Sequence, residues 1–349
     1  MVKATVSVIV NGYGVIGKRV ADAVLHQPDM RLVGVADVVA DWRVKLAAYK
    51  GLSVYASTAD RATDMVKKGL KLSGVLEELL RSGAVDVVVD CTPAKVGARN
   101  RDLYEKYGVK AVFQGGEKHE VAGVSFVAQR NYGEALGRRF VRVVSCNTTA
   151  ICRVVGGIHE KIGVKKARVV VFRRAVDVWE SSRTGIMNTV VPELQVPSHH
   201  GPDAQTVIKD LDIVTMAAKG SHNLYHLHMA MVELRSRVTL EDVLRVIEEE
   251  PRVLFVSGED GVDGLNAIFE LSRDLGRPRG DLYEIPVWRD SISVSRDGSE
   301  VYLMWATPNE SNVVPENVDA IRAVAELETE AKASISKTDR YLGVVKRVY

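Results

Sequence analysis

Three cysteines in a chain of 349 residues are too few, and too odd in number, for a disulfide framework. A reducing cytoplasm is the compartment that suits such a chain. No apolar run approaches the roughly 18 residues that a membrane-spanning helix needs. Neither charge sign dominates: 47 Lys and Arg against 45 Asp and Glu leave a formal net charge of +2. That balance gives no indication of a nucleic-acid or membrane partner. Proline is scarce, at 10 residues, and neither a low-complexity segment nor an internal repeat interrupts the chain. The first residues, "MVKATVSVIVNGYG", alternate like a strand and lack the layout of a signal peptide. What is present is ordinary globular material, 46% apolar and 26% charged, in a length that suits two domains.

The first informative stretch is "NGYGVIG". Gly12, Gly14 and Gly17 fit the G-x-G-x-x-G spacing, directly after the strand-like run Thr5 to Val10. "KRVADAVLHQ" follows with Val20, Ala23 and Val24 at helical spacing. Strand, glycine turn and helix in this order form the dinucleotide-binding context. Gly12 permits the tight turn, Gly14 lets a pyrophosphate approach the backbone, and Gly17 lets helix and strand pack closely. The amides near Val15 and Ile16 would then meet the phosphates at the positive end of the helix.

Further strands are expected at "RLVGVAD", "VDVVVDCTP", "VKAVFQGGE" and "RFVRVVS", with helices such as "SGVLEELLRSG" and "GARNRDLYEKYG" between them. Alternating strands and helices predict an α/β fold with a mostly parallel sheet, and ligands at the carboxyl ends of its strands. Asp37, Cys91-Thr92-Pro93, Gly115-Gly116 and Ser145-Cys146 all fall at such ends. Asp37 lies 20 residues after Gly17. Its carboxylate can accept hydrogen bonds from a ribose diol and would repel a 2′-phosphate. No Arg or Lys follows it until Arg43, so NAD is expected over NADP.

Cys146 follows the strand "FVRVV" and precedes "NTTAICRVVGGIHEKIG", which reads as helix after Thr148 or Thr149. A thiol at a helix N-terminus is tilted toward thiolate by the dipole and the amides there. Cys146 is therefore a candidate nucleophile, with a small buried hydrophobe as the bland alternative. Cys152 reads as core, and Cys91 as a lining residue of the nucleotide fold. Five of the eight histidines are grouped: His199, His200, His222, His226 and His228. His226 and His228 share a face if "HLHMAMVEL" is a strand. H-x-H is also a metal-ligand spacing, but no cysteine or acid pair stands nearby with ligand spacing, and no metal is expected.

Taken together, "NGYGVIGKRVADAV", "DCTP", "FQGGEKHE", "VVSCNTT", "PSHHGPD", "LHMAMVEL", "EIPVWRDSI" and "VPENVDAIRA" resemble the archaeal branch of phosphorylating glyceraldehyde-3-phosphate dehydrogenase. The resemblance runs from Asn11 to about Asp339. It implies an N-terminal Rossmann dinucleotide-binding domain completed by a C-terminal helix, with an inserted α+β catalytic domain. The expected boundaries are 1–144 and 313–349 for the first and 145–312 for the second. "PENVDAIRAVAELETEAKASIS" supports the closing helix, with Pro315 at its start and an apolar stripe through Val318, Ile321, Val324, Ala325 and Leu327.

The resemblance also implies the chemistry. Cys146 adds to the aldehyde of glyceraldehyde 3-phosphate, hydride leaves for the nicotinamide, and inorganic phosphate discharges the thioester. Matching "LHMAMVEL" and its upstream histidine to the family pattern puts the base on His226, with His228 as the alternative and no role for His222. Arg174 in "VFRRAVD" matches a cofactor-side arginine, and its neighbour Arg173 is the other candidate. His200 and Gly201 match a substrate-phosphate loop, joined by Ser145, Asn147 and Thr148 at the helix N-terminus. Asn309 matches a position near the nicotinamide amide, although "PNES" replaces the commoner "HQES". Gly115, at a strand end of the first domain, is expected to be a cofactor-binding residue. Family members are usually homotetramers. Two rival readings remain at this stage: a semialdehyde dehydrogenase of the same architecture, and a non-catalytic nucleotide- or RNA-binding protein on this scaffold.

Overall fold

A computed structural model describes residues 5–114, 116–176, 186 and 188–348 of the chain. The chain forms two compact units, Met1–Val144 with Val314–Gly343, and Ser145–Val313 with Val344–Tyr349.

The first unit is built on a sheet of eight strands. They are β1 (Val6–Asn11), β2 (Met30–Asp37), β3 (Val54–Ala56), β4 (Gly74–Val75), β5 (Val87–Asp90), β6 (Lys110–Phe113), β7 (Ser125–Phe126) and β8 (Phe140–Val143). Their order is β4-β3-β2-β1-β5-β6-β8-β7, with every neighbouring pair parallel. Helices cover both faces of such a sheet, so its strands read as unbroken apolar runs. Val8, Ile9 and Val10 in β1 and Val87, Val88 and Val89 in β5 are all fully buried. The chain departs from β1 to one side through β2 and to the other through β5. The ends of β1 and β5 are therefore the switch point at which open parallel sheets bind ligands.

The helix Val314–Ala325 returns to this unit and packs on β6, β8 and the helix Gly17–Leu25. Its apolar stripe does not continue as one helix. Glu326 takes a left-handed backbone, φ 56°, and a second helix runs Ala331–Leu342. A buried polar knot ties the two helices down. Arg322 donates to both carboxylate oxygens of Asp29 at 2.8 and 2.9 Å and to Thr338, whose hydroxyl donates to Asp319. Burial alone would raise the Asp29 carboxyl, but Arg322 and Lys337 outweigh it and hold it below its ordinary value.

The expected boundary at 313–349 needs one adjustment: from Val344 onward the chain belongs to the second unit. Val345 N donates to Glu284 at 2.6 Å, and Lys346 Nζ to the Glu248 carbonyl at 2.7 Å. Val345 and Val348 pack on the cluster of Leu254, Val256, Ile268 and Leu282.

The second unit carries a mixed sheet of β9 (Val164–Arg174), β10 (Val191–Pro192), β11 (Ile213–Gly220), β12 (His226–Leu234), β13 (Val253–Val256), β14 (Ile285–Trp288), β15 (Ser293–Val294) and β16 (Glu300–Thr307). The order is β10-β11-β9-β12-β16-β14-β13, with β15 on β16. Helix Cys146–Lys161 packs on β9, β14 and β16. Asn147 through Ile158 are all buried, so the helix is enclosed well beyond the one-sided stripe of Ile151, Val154, Val155 and Ile158. Strand alternation turns His226, His228, Ala230, Val232 and Leu234 inward, whereas Met231 joins Met216 and Met304 on the exposed face.

Candidate active site

In the first unit the glycine turn has the shape its spacing predicts. Gly12 has φ 91°, and a Cβ there would stand 2.8 Å from the Cys91 carbonyl. A Cβ on Gly17 would stand 1.9 Å from the Gly12 oxygen, so no larger residue fits. Gly14 faces open space, the room a pyrophosphate requires, and the Gly17–Leu25 helix begins just after Val15 and Ile16. Asp37 closes β2, as expected. One of its oxygens accepts from Tyr13 N at 2.8 Å within the glycine turn, and the other from Val38 N at 2.7 Å. Burial raises this carboxyl above its ordinary value in spite of those donors. Arg43, the nearest base after it, is bound to Asp41, which also caps the helix Trp42–Tyr49. Gly115 lies outside the described residues.

In the second unit the helix begins earlier than its sequence suggests. Ser145 is the N-cap, its hydroxyl accepting from Thr148 N at 3.3 Å, so Cys146 is the first helical residue. Asn312 Nδ2 donates to the Cys146 carbonyl at 2.9 Å. The thiol is half-buried. Burial pushes it up, and Arg174, Arg173 and the amide of Asn147 pull it back. Burial wins, and the thiol stays above its ordinary value. The pull of the helix end expected from the sequence is present in the amides at Asn147 and Cys146, and burial opposes it.

His226 is buried at the start of β12, and its Nδ1 accepts from Arg174 N at 2.9 Å. A neutral ring held this way carries its proton on Nε2. Burial, then Arg174, His228, Arg173 and His200, depress its basicity well below the usual value, so it is held neutral. Arg173 and Arg174 thus act on both Cys146 and His226. His228 faces the same way along β12 but reaches a different partner: its Nε2 lies 2.9 Å from Asn147 Oδ1. Asn147 Nδ2 lies 3.1 Å from His200 Nε2, and His200 Nδ1 lies 3.0 Å from Ser198 Oγ. Arg174 donates from NH1 to Glu310 at 2.9 Å. With the Asn309 carboxamide oxygen turned toward it, Arg174 also meets Asn309 at 2.8 and 2.5 Å.

Comparison with known proteins places this geometry. Residues 145–291 match the family model described as glyceraldehyde 3-phosphate dehydrogenase, C-terminal domain. Residues 6–125 match the N-terminus of dihydrodipicolinate reductase. A protein of Methanococcoides burtonii named glyceraldehyde-3-phosphate dehydrogenase is 50% identical over 340 residues, covering 97% of this chain and 99% of the relative. The chain belongs to the glyceraldehyde-3-phosphate dehydrogenase family. Relatives of the same name in Methanopyrus kandleri, at 98% coverage of both chains, and Thermococcus kodakarensis, at 98% of this chain and 99% of the relative, are each 48% identical.

Within that family's architecture some expected contacts fall differently. His200 is fully buried with both ring nitrogens engaged, and burial with His199, Arg173 and His228 lowers its pKa to about 2. The Gly201 amide donates to Thr215 Oγ1 at 2.9 Å. The Asn147 carboxamide is spent on the two histidines. These three groups brace the site rather than face solvent, because the turn after Pro197 folds inward onto β11. Ser145 and Thr148 keep hydroxyls at the helix end, 2.9 Å apart, and Thr148 also donates to Asp203 at 2.8 Å. Exposed His199 stacks on His200, with ring centroids 3.9 Å apart. Glu193, His199 and His200 put ligand atoms within 4.8 Å of one another. Arg173 binds that carboxylate, however, and both ring nitrogens of His200 are engaged by Asn147 and Ser198, so these three residues do not offer a free ligand set. Ser198, Asp203 and Thr215 were missed in sequence. For Ser198 and Asp203 the only signal was the polar run "PSHHGPD"; for Thr215 it was a buried position in the alternating strand "IVTMA".

Proposed function

We propose that this chain catalyses the reversible oxidative phosphorylation of glyceraldehyde 3-phosphate to 1,3-bisphosphoglycerate. The observation that carries the reading is Cys146 at the first position of a capped helix, under the same two arginines that act on His226. Cys146 adds to the aldehyde carbon as its thiolate, the thiol proton having been released to solvent, and the carbonyl electron pair moves to oxygen. His226, neutral and protonated on Nε2, donates a hydrogen bond to that oxygen as its charge develops. The expected role as base is thereby narrowed, since the ring accepts the hydroxyl proton only after releasing Arg174 N. Bound dinucleotide supplies the two-electron acceptor. Loss of hydride from carbon leaves a thioester on Cys146, and attack by a phosphate oxygen returns the thiolate. Ser145 and the helix end, with Arg173 and His199, are the proposed phosphate donors; Thr148 is buried and its hydroxyl hydrogen goes to Asp203, so its expected role becomes that of holding Ser145.

The nucleotide is NAD in preference to NADP in this reading. Asp37 meets the ribose, and Arg43 is committed to Asp41 rather than available for a 2′-phosphate. Gly12, Gly14, Val15, Ile16 and Gly17 hold the pyrophosphate, and Arg174 and Asn309 act as a bonded pair on the cofactor side. A homotetramer is proposed, and the exposed methionine row of Met216, Met231 and Met304 suits an interface between copies. The cytoplasm is the proposed compartment, because a catalytic thiol needs reducing surroundings and no cysteine of the chain is in a disulfide. Among the described residues no helix is long and apolar enough to cross a membrane.

Protein mixed with glyceraldehyde 3-phosphate, phosphate and NAD should develop the absorbance of reduced nicotinamide. Oxidation of an aspartyl or glutamyl semialdehyde in its place would establish the first rival. Nucleotide binding without turnover of any aldehyde would establish the second.

A further inference from the structure

Asn147, the residue after the nucleophile, is held between two buried histidines. The direction of every bond in that chain is set from its far end. Thr215 Oγ1 donates to the Ser198 carbonyl at 2.9 Å, and Ser198 Oγ donates to Thr215 Oγ1 at 2.8 Å. The Ser198 hydrogen is thereby used, so His200 Nδ1, 3.0 Å away, must be the donor to Ser198 Oγ. His200 Nε2 is then bare and accepts from Asn147 Nδ2 at 3.1 Å. The Asn147 oxygen is left to face His228, whose Nε2–H donates across 2.9 Å. A proton added to His200 would set two donors against each other, in keeping with a pKa lowered to about 2. Burial likewise lowers His228 to about 3. Both rings are neutral struts at physiological pH.

We propose that His228 is a positioning residue for the nucleophile: by donating to Asn147 it fixes the first turn of the Cys146 helix and keeps the Asn147 amide on the Cys146 sulfur. His228 does not meet substrate in this account. Its ring is fully buried and stands edge-on to Trp305 at 5.1 Å, so an apolar side chain of similar size would fill the space equally well. The hydrogen-bond donor is what the site would lose. The other groups acting on the thiol are Arg173 and Arg174 from β9 and the cysteine's own amide, while Asn312 holds the Cys146 carbonyl. None of these is carried by His228, so its effect passes through Asn147. The inference rests on Cys146 being the reactive thiol, but its test needs no turnover.

The test is the rate of alkylation of Cys146 by iodoacetamide, read by mass spectrometry with fragmentation to separate it from Cys152, between pH 6 and 11. Wild type is compared with His228→Gln, His228→Leu, Asn147→Ala and the Leu/Ala double variant. His228→Leu should slow alkylation about tenfold near neutral pH and move its midpoint up by about one pH unit. His228→Gln, which keeps a donor, should stay within about twofold of wild type. Asn147→Ala should match His228→Leu, and the double variant should be no slower than either. A wild-type profile in His228→Leu or in Asn147→Ala overturns the proposal, as does a His228→Gln variant as slow as His228→Leu. Should His228→Leu fail to fold, Asn147→Ala and His228→Gln decide the matter by the same criteria.

Discussion

The main-chain amide of Arg174 donates to Nδ1 of His226 across 2.9 Å. That one bond sets which face of the imidazole is a donor and ties the histidine proposed to act in the chemistry to the strand that carries both arginines. His226→Ala should lower kcat by about 10²- to 10⁴-fold with a smaller change in KM, the range for a group acting on a proton or developing charge in the reaction. Steady-state kinetics with saturating NAD check this. Turnover within about twofold of wild type would remove His226 from the chemistry.

The pH dependence follows from the directions of two shifts. His226 is depressed well below its ordinary value near 6.5, so it stays neutral as pH falls through 6 and produces no acid limb there. Burial raises the Cys146 thiol above its ordinary value, so the free protein holds it as thiol near neutral pH and the thiolate grows with rising pH. The alkylation rate of Cys146 without substrate should therefore still be climbing at pH 9. A plateau reached by pH 7 would mean that the helix end and the arginines outweigh burial after all.

The nucleotide preference turns on Asp37. Asp37→Ala removes the carboxylate that would repel a 2′-phosphate, and also removes the partner of Tyr13 N. Efficiency with NAD should fall while the ratio for NADP over NAD rises by about tenfold or more, the effect of losing one close charge or a good hydrogen-bonding pair. An unchanged ratio would move ribose recognition to another group. In the same unit, Gly17→Ala should abolish nucleotide binding, since its Cβ would collide with the Gly12 carbonyl. Tight binding by that variant would contradict the proposed site.

Much of this was readable in the chain. The glycine spacing, Asp37 at the end of β2 and the shared face of His226 and His228 all follow from local rules, because each depends on residues within one strand–turn–helix unit or on strand alternation. The helix start was misplaced by three or four residues because Ser145 caps it through one weak bond that apolar periodicity does not register. The chain Asn147–His200–His228 was not readable: its bonds join residues 53 and 81 positions apart. His200 accordingly looked like a phosphate ligand when its ring is fully enclosed. The stripe through Leu327 hid the break at Glu326, since a left-handed residue interrupts a helix without interrupting its apolar spacing.

The polar knot that holds the closing helices should be costly to open. Arg322→Leu leaves Asp29 and Asp319 without their buried cation and should destabilise the protein by about 3–5 kcal/mol, read as a fall in the denaturation midpoint. Because Asp29 is held below its ordinary value, its contribution is present above pH 4 and is lost as pH falls through its folded value. The difference between wild type and variant should shrink on acidification. A constant difference from pH 7 to pH 3 would assign the loss to packing rather than to charge.

The central claim is that the chemistry passes through a thioester on Cys146, and it can be read in a single mass measurement. Protein is mixed with NAD and glyceraldehyde 3-phosphate in phosphate-free buffer, quenched in acid and digested. The account predicts that the peptide carrying both Cys146 and Cys152 gains the mass of a phosphoglyceroyl group, that fragmentation places the group on Cys146, that the peptide carrying Cys91 does not gain it, and that added inorganic phosphate removes it. Formation of reduced nicotinamide with no acyl group on Cys146, or with the group on another residue, would contradict it.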